Sequence, residues 1–491
     1  MTPVALARVI DALEGAGLLA GRRGALPDYI EGIADDSRAV VARGAFVAVR
    51  GTARDGHEFL PAAAERGATV AIVEDLSRTE LPALVVSDAR RAAAVAAAAF
   101  YGEPADRLTL VAVTGTNGKT TTVGMLRHLL DGVRGRSASI GTLGVLIGSA
   151  GAAHPGGGGL TTPGPVELQR LLRELVDAGV GTVAMEVSSH SLHQRRVEGV
   201  RYDAAVFTNL TRDHLDYHGT MEAYFAAKAQ LVSHLTPEGA AVINADDAAW
   251  RALPAAPRTV TFGVEHDAAV RARDVRHTPR GSEWLLDAGG ESAVVRLPLL
   301  GAFNVANALG AAAAAWALGR PVADVAGRLT TLPQVPGRLE IVHHGPTVLR
   351  DYAHTPDALE RALGAVRPFT RGRLIVVFGA GGDRDRGKRP EMGKIADQMA
   401  DLTIVTSDNP RTEDPERILD DIEAGMRSGA HERIEDRRAA IARALAIAGP
   451  DDVVVLAGKG HETYQVRGTT RHHFDEKEIV HELTAAREER A

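Results

Sequence analysis

The 491-residue sequence contains no cysteine. Disulfides, thiolate catalysis and cysteine metal sites are therefore excluded, and the composition fits a cytosolic, cytoplasmic setting. Positive charge is not in excess either. The formal net charge is -7, which leaves no broad cationic surface for nucleic acid but still allows a local basic pocket for a small anion. No hydrophobic run reaches the roughly 18 to 20 residues that a membrane span needs. The most apolar stretches, ARRAAAVAAAAFYG and NVANALGAAAAAWALG, are alanine-based and read as tightly packed helices. The first 21 residues carry Asp11 and Glu14 inside their only apolar part, so they read as a short amphipathic helix and not as a signal peptide. What is present is globular: 45% apolar and 24% charged residues, with 52 Gly and 23 Pro, in a chain long enough for two to four domains.

Three α/β segments follow one another. Residues 1–106 alternate short β-like runs (GAFVAV, ATVAIV, ALVVSD) with helices, as a small N-terminal domain. Residues 107–335 repeat the alternation with longer elements, predicting a central, mostly parallel sheet of the P-loop ATPase kind. Within it, TVTFGV, AVRARDV and SEWLLDA predict appended antiparallel hairpins. PQVPGR marks the next boundary, and residues 336–491 predict a doubly wound, Rossmann-like domain whose strands each end in a polar or glycine-rich loop.

The strongest local signal is LTLVAVTGTNGKTTTVGML, residues 108–126. An apolar strand, a glycine turn and a helix N-terminus point unpaired backbone N–H groups at a phosphate. Lys119 is placed to reach β and γ phosphates, Thr120 to offer a hydroxyl to Mg²⁺, and Asn117 to add a donor. The usual G-x-x-x-x-G-K-[ST] spacing, however, would require glycine where Val113 stands. Glu186 ends a predicted strand and His214 follows the next, so both rise toward the same crevice as candidate Mg²⁺ ligands. A helix N-cap salt bridge is the alternative for Glu186, and Asp213 and Asp216 compete with His214. Lys228 falls on the apolar face of a predicted helix with Met221, Tyr224, Phe225, Leu231, Val232 and Leu235, where it must snorkel, pair or change its charge; snorkelling is the default.

TGTNGKTT, AMEVSSH, TNLTRDHLDYHGTMEAYFAAK, GAFNVANALGA, GRLE, DYAHTPDAL, GGDRDRGKRPEMG, SDNPR and GKGHE occur in this order along nearly the whole chain. In this the sequence resembles the Mur ligase family, in particular its branch that adds the third residue of the peptidoglycan stem peptide to UDP-N-acetylmuramoyl-L-alanyl-D-glutamate (UDP-MurNAc-L-Ala-D-Glu). The resemblance implies a shorter G-x-x-G-K-[ST] loop, in which Val113 is an expected residue. It implies ATP bound by Gly115, Thr116, Asn117, Gly118, Lys119, Thr120 and Thr121, with Asn307, Arg338 and His354 facing the nucleotide. It further implies catalytic roles for Lys119, Glu186, His214 and Lys228, the last carbamylated to N6-carboxylysine, with Thr120, Glu186, His214 and Lys228 around Mg²⁺.

By the same resemblance the UDP-MurNAc-dipeptide meets Ser37, Thr52, Ala53 and Arg54 at its uridine end and Thr161, Thr162, Ser188, Gln194 and Arg196 at its dipeptide end. Asp35 stands where an apolar residue is more usual, which bears on the uracil contact. SDNPR matches the form that takes meso-diaminopimelate, with Arg384, Asp408, Asn409, Pro410, Arg411, Gly458 and Glu462 around it. Asp408 and Asn409 are expected to accept from the distal ammonium, and Arg411 to present its fork to the distal carboxylate. The implied enzyme is a monomer without membrane insertion. L-lysine or L-ornithine as the amine, a folylpolyglutamate-synthetase-like ligase, an ATP-driven switch and a nonenzymatic scaffold are the competing readings.

Overall fold

The computed structural model describes residues 2–51, 54–157, 159–278 and 280–488. By contacts the chain divides into two compact units, one of residues 1–271 and 308–325 and one of residues 272–307 and 326–491.

The first unit holds two larger sheets beside the short antiparallel pair Val4–Ala5 with Tyr29–Ile30. A five-stranded sheet runs in the order Leu19–Arg23, Ala83–Val86, Ala68–Val73, Gly44–Val47, Ile33–Ala34. The helix Ala89–Tyr101 covers it. Its Asp88 cap accepts from the Arg91 N–H, Gly102 closes it in the left-handed region, and the buried Ala89, Ala92, Ala93, Ala96 and Ala97 let it lie close to its neighbours. One neighbour is the helix Pro165–Asp177, whose Val166 joins this core while Leu168, Leu171, Leu172 and Leu175 face the larger sheet. Each such fully buried leucine contributes about 1.5–3 kcal/mol of burial free energy.

In the larger sheet the central strand is Thr109–Thr114, which pairs in parallel with Val180–Glu186 on one side and Tyr202–Phe207 on the other. Arg136–Gly141 lies beyond the first, and Leu235–Asn244 and then Arg258–Gly263 lie beyond the second. Strands buried on both faces read as continuous apolar runs, as LTLVAVT and DAAVF do. The predicted hairpin at TVTFGV is not formed: Arg258–Gly263 pairs in parallel with Leu235–Asn244, and through Phe262 and Gly263 with Val270 and Arg271. The reason is Asp246, whose carboxylate accepts the N–H groups of Val264, Glu265 and His266 and holds the chain in a wide loop where a hairpin would need a tight turn. An antiparallel hairpin does occur in the second unit, between Gly281–Ala288 and Glu291–Leu297.

The second unit is built on a six-stranded sheet in the order Glu340–His343, Thr347–Asp351, Val453–Ala457, Leu374–Phe378, Leu402–Val405, His431–Arg433, parallel except for the first strand. Helices Pro356–Val366, Lys388–Met399 and Pro415–Glu423 pack on one face, and Arg437–Ile447 and Glu476–Glu488 on the other. Among the described residues, no helix is long and apolar enough to cross a membrane.

Candidate active site

Three neighbouring strands of the first unit end side by side, and the site is built on their carboxyl ends. Val113 lies inside the central strand, fully buried, opposite Glu186, and its carbonyl accepts the Val187 N–H at 2.9 Å. The loop begins only at Gly115, so no glycine is needed at position 113. At Gly115 glycine is obligatory: φ is +145°, and a Cβ would run into Thr208 Oγ. Gly118, at φ +84°, leads into the helix Lys119–Leu130.

Residues 208–211, which follow the strand Tyr202–Phe207, hold this loop in place. The Thr116 N–H donates to Asn209 O at 2.7 Å, the Asn117 N–H to Asn209 Oδ1 at 2.9 Å, and Thr208 Oγ to Asn117 O at 2.7 Å. The Lys119 ammonium folds over its own loop, donating to Gly115 O at 3.0 Å and Thr116 O at 2.8 Å.

Glu186 is 1% exposed, and Thr142 supplies its donors, N–H to Oε1 at 2.8 Å and hydroxyl to Oε2 at 3.1 Å. Gly141 must be glycine because a Cβ there would sit 2.7 Å from Glu186 Cγ. The result is a fixed, buried carboxylate held by neutral donors, which suits a cation arriving with phosphate oxygens.

Lys228 does not snorkel. It is 1% exposed, donates to Gly115 O at 2.8 Å and lies 4.5 Å over the Tyr224 ring. Burial, then the Lys119 charge, drives its pKa well below the usual lysine value, so the neutral amine is favoured. That is the form that adds CO₂.

His214 occupies the left-handed region at φ +53°, 4.8 Å from the His190 ring and 3.4 Å from Asp213. Partial burial lowers its pKa, with Asp213 opposing, which favours the neutral imidazole, the form able to ligate. His190 and His218, pushed down to about 4 mainly by burial, complete an aromatic cluster with Tyr217.

A cavity of about 220 Å³ is lined by Lys119, His190, His214 and Lys228 alongside Thr161, Ser188 and Arg196. Arg196 donates to Thr162 O at 3.1 Å and grips Gln194 Oε1 through Nε and Nη2, while the Thr162 hydroxyl donates to Glu186 O at 2.9 Å. Lys119 of the phosphate loop thus shares one hollow with Thr161, Ser188 and Arg196 of the expected dipeptide residues. Farther along, Ser37 opens the turn Ser37–Ala39 and Arg54 is exposed; Thr52 and Ala53 lie outside the described residues. Asp35 faces Gly164, at 3.6 Å from a Cβ built there, and burial raises its pKa. It therefore borders the dipeptide loop.

In the second unit, Arg338 lies 4.9 Å over the Tyr352 ring, and His354 contacts the same ring at 4.7 Å. Asn307 is buried in the helix Ala302–Ala317, donating to Asn304 Oδ1 at 3.2 Å. The diaminopimelate candidates gather at the ends of three adjacent strands, Val453–Ala457, Leu374–Phe378 and Leu402–Val405. A Cβ on Gly381 would meet both Arg411 Nη1, at 2.9 Å, and Arg384 Cγ, at 3.7 Å, so the two arginines flank that glycine. The Gly382 N–H donates to Asn409 O at 2.9 Å, and a Cβ on Gly382 would overlap the Pro410 carbonyl. Gly458 is pressed against Asp408, with a Cβ only 2.8 Å from Asp408 Oδ2.

The Asn409 side chain is already engaged within the protein. Its Oδ1 takes the Val466 N–H at 2.8 Å and the Lys459 ammonium at 3.2 Å, and its Nδ2 donates to Glu462 Oε2 at 2.9 Å.

Residues 29–112, 113–315 and 337–460 match, in that order, the family models described as Mur ligase family, catalytic domain; Mur ligase middle domain; and Mur ligase, glutamate ligase domain. A Geobacter metallireducens protein named UDP-N-acetylmuramoyl-L-alanyl-D-glutamate--2,6-diaminopimelate ligase is 47% identical over 508 residues, covering 97% of this chain and 96% of its own. The chain belongs to the Mur ligase family. A Synechococcus elongatus protein of the same name is 46% identical over 487 residues, covering 96% of this Mur ligase and 97% of its own length. A solved structure of an enzyme so named is 36% identical and covers 94% of this chain and 96% of its own, with a TM-score of 0.66.

For this Mur ligase the sequence assigned no role to Thr142 or Lys459, and it placed Tyr224 only on the apolar face that carries Lys228. Asn209 stood inside the TNLT motif without a role, and its amide turns out to bind the phosphate loop. Only the glycine beside Thr142 hinted at a crowded neighbour. Lys459 was hidden between the two motif glycines of GKGHE.

Proposed function

We propose that this chain is an ATP-dependent amide ligase that joins an amine of meso-2,6-diaminopimelate to the D-glutamyl side-chain carboxylate of UDP-MurNAc-L-Ala-D-Glu. The observation that carries the reading is the single cavity in which the phosphate-loop Lys119 meets Thr161, Ser188 and Arg196, in a chain aligned almost end to end with relatives of that name.

In the first step a carboxylate oxygen of the dipeptide attacks the γ phosphorus of ATP, ADP leaves and an acyl phosphate forms. Arg196 and the Thr161–Thr162 turn orient the carboxylate. Lys119 swings from its own loop carbonyls to the phosphates, which the backbone N–H groups at the helix start also hold. In the second step the amine attacks the acyl carbon, loses a proton, and phosphate leaves.

Among the described residues, no three His, Asp or Glu side chains form a metal site by themselves. The donors fit a Mg²⁺ that shares its shell with phosphate oxygens: Thr120, Glu186, His214 and, once carbamylated, Lys228 would hold it. Bound there, Mg²⁺ would offset the negative charge building on the transferred phosphoryl group. Modification of Lys228 would join its neutral amine to CO₂ with release of one proton, replacing an uncharged nitrogen with a carboxylate that can ligate a divalent ion.

At the amino-acid end, Arg411 donates to Gly382 O at 2.7 Å and presents the rest of its fork to a distal carboxylate. Lysine and ornithine lack that carboxylate. A folylpolyglutamate-like activity is disfavoured by the match of residues 29–112. The test is phosphate release from ATP with UDP-MurNAc-L-Ala-D-Glu and meso-diaminopimelate, L-lysine or L-ornithine, against folate with glutamate. The expected result is strong preference for meso-diaminopimelate; turnover with folate and glutamate alone would overturn the reading.

A further inference from the structure

Lys459 has a side chain with no solvent exposure at all, in the loop that follows the strand Val453–Ala457. Both flanking glycines are forced. A Cβ on Gly458 would press on Asp408, and one on Gly460 would sit 2.7 Å from Tyr352 Cβ. The loop is therefore clamped between Asp408 and Tyr352, and its lysine turns inward. There the ammonium meets Glu462 Oε2 at 3.1 Å, Asn409 Oδ1 at 3.2 Å and Asp408 Oδ1 at 3.7 Å, against the rings of Tyr464 and Phe474.

We infer that Lys459 is a positioning residue for the incoming amino acid, fixing the orientation of Asn409 and setting the charge of the Asp408–Glu462 pair; this rests on the function proposed above. Two features support it. Asn409 Oδ1 is occupied by two donors, Lys459 Nζ and the Val466 N–H, so a flipped amide would set its NH₂ against both. The amide is thereby held with its NH₂ toward Glu462. Second, two carboxylates and one ammonium leave the cluster with one net negative charge. Asp408 Oδ1 is buried without a hydrogen bond, so the cluster retains acceptor capacity. One ligand ammonium balances it; two would not. The side chain of Lys459 thus tunes this pocket for an amino acid without touching the substrate.

The test measures steady-state phosphate release by the full-length enzyme, varying each substrate in turn. Lys459→Met is expected to raise KM for meso-diaminopimelate about tenfold or more, with KM for ATP and for the muramoyl dipeptide, and kcat, moving less than about threefold. Asn409→Ala should raise the same KM in the wild type but add less than about twofold in the Lys459→Met background, because the two act as one unit. Should Lys459→Met fail to fold by thermal melt, Lys459→Gln carries the same comparison, keeping a donor but not the charge, and the same selective rise is expected. An unchanged KM for meso-diaminopimelate, or equal shifts for all three substrates, overturns the inference while leaving the proposed function standing. A wild type whose phosphate release ignores meso-diaminopimelate overturns both.

Discussion

Gly141→Ala is a one-methyl probe of how tightly the site depends on Glu186. Gly141 ends the strand Arg136–Gly141, and its φ lies outside the left-handed region, so alanine is compatible with the backbone. The added Cβ would nevertheless lie 2.7 Å from Glu186 Cγ and 2.8 Å from Cδ. Carbon contacts are comfortable at about 3.5–4.0 Å, so the carboxylate has to move by about 1 Å. It cannot do so freely, because Thr142 holds both oxygens and the residue is buried. A misplacement of about 1 Å costs on the order of a hundredfold in rate, equivalent to about 2.7 kcal/mol of transition-state stabilisation. The expected result is a kcat for phosphate release lowered by about a hundredfold, with KM for the amino acid little changed. The melting temperature should fall by no more than roughly 10 °C, since overpacking a buried site by one methyl costs about 1–3 kcal/mol. A variant that keeps kcat within about threefold, with its fold intact, would refute the claim that this carboxylate must stand where it does.

Lys228→Ala should abolish turnover and regain part of it when a short carboxylic acid such as acetate is added; full activity without the acid would show that no carbamate is needed. Arg411→Ala should cut the kcat/KM preference for meso-diaminopimelate over L-lysine by about 10- to 150-fold, the worth of a charge-assisted hydrogen bond of about 1.5–3 kcal/mol. An unchanged ratio would show that Arg411 does not read the distal carboxylate. The Arg389 guanidinium donates to both Glu413 oxygens and holds its carboxyl down at about 2. A depressed pKa means that the folded state binds the proton less tightly than the unfolded state, so its stabilisation is present above about pH 4.5 and is lost as pH falls toward 2. The gap in melting temperature between wild type and Glu413→Gln should accordingly narrow over that window; a gap independent of pH would contradict the assignment.

Chemistry confined to one turn of chain was legible from the sequence. Gly115 to Thr121 carried a phosphate loop because glycine conformation, backbone N–H direction and a lysine at the helix start are local properties. The apolar runs around Val113, Val183 and Val206 likewise signalled strands buried on both faces, and the family motifs in order indicated the ligase. What the tertiary structure decided was adjacency and burial. Strand order alone sets Glu186 opposite Val113 and brings Asn209 under the phosphate loop, because hydrogen-bonded neighbours need not be neighbours in sequence. Lys228 on an apolar helix face could have reached solvent. Packing against Tyr224 and the Gly115 carbonyl closed that route, and burial beside the Lys119 charge favoured its neutral form. The hairpin expected at TVTFGV gave way to parallel pairing because Asp246, about 20 residues upstream, captures the N–H groups a tight turn would have used. In the DNPR loop the residue types pointed to an amino-acid site, but a motif cannot show which way an amide faces. That direction was settled by Lys459, fifty residues later in the chain, because a buried ammonium imposes its geometry on every acceptor it touches.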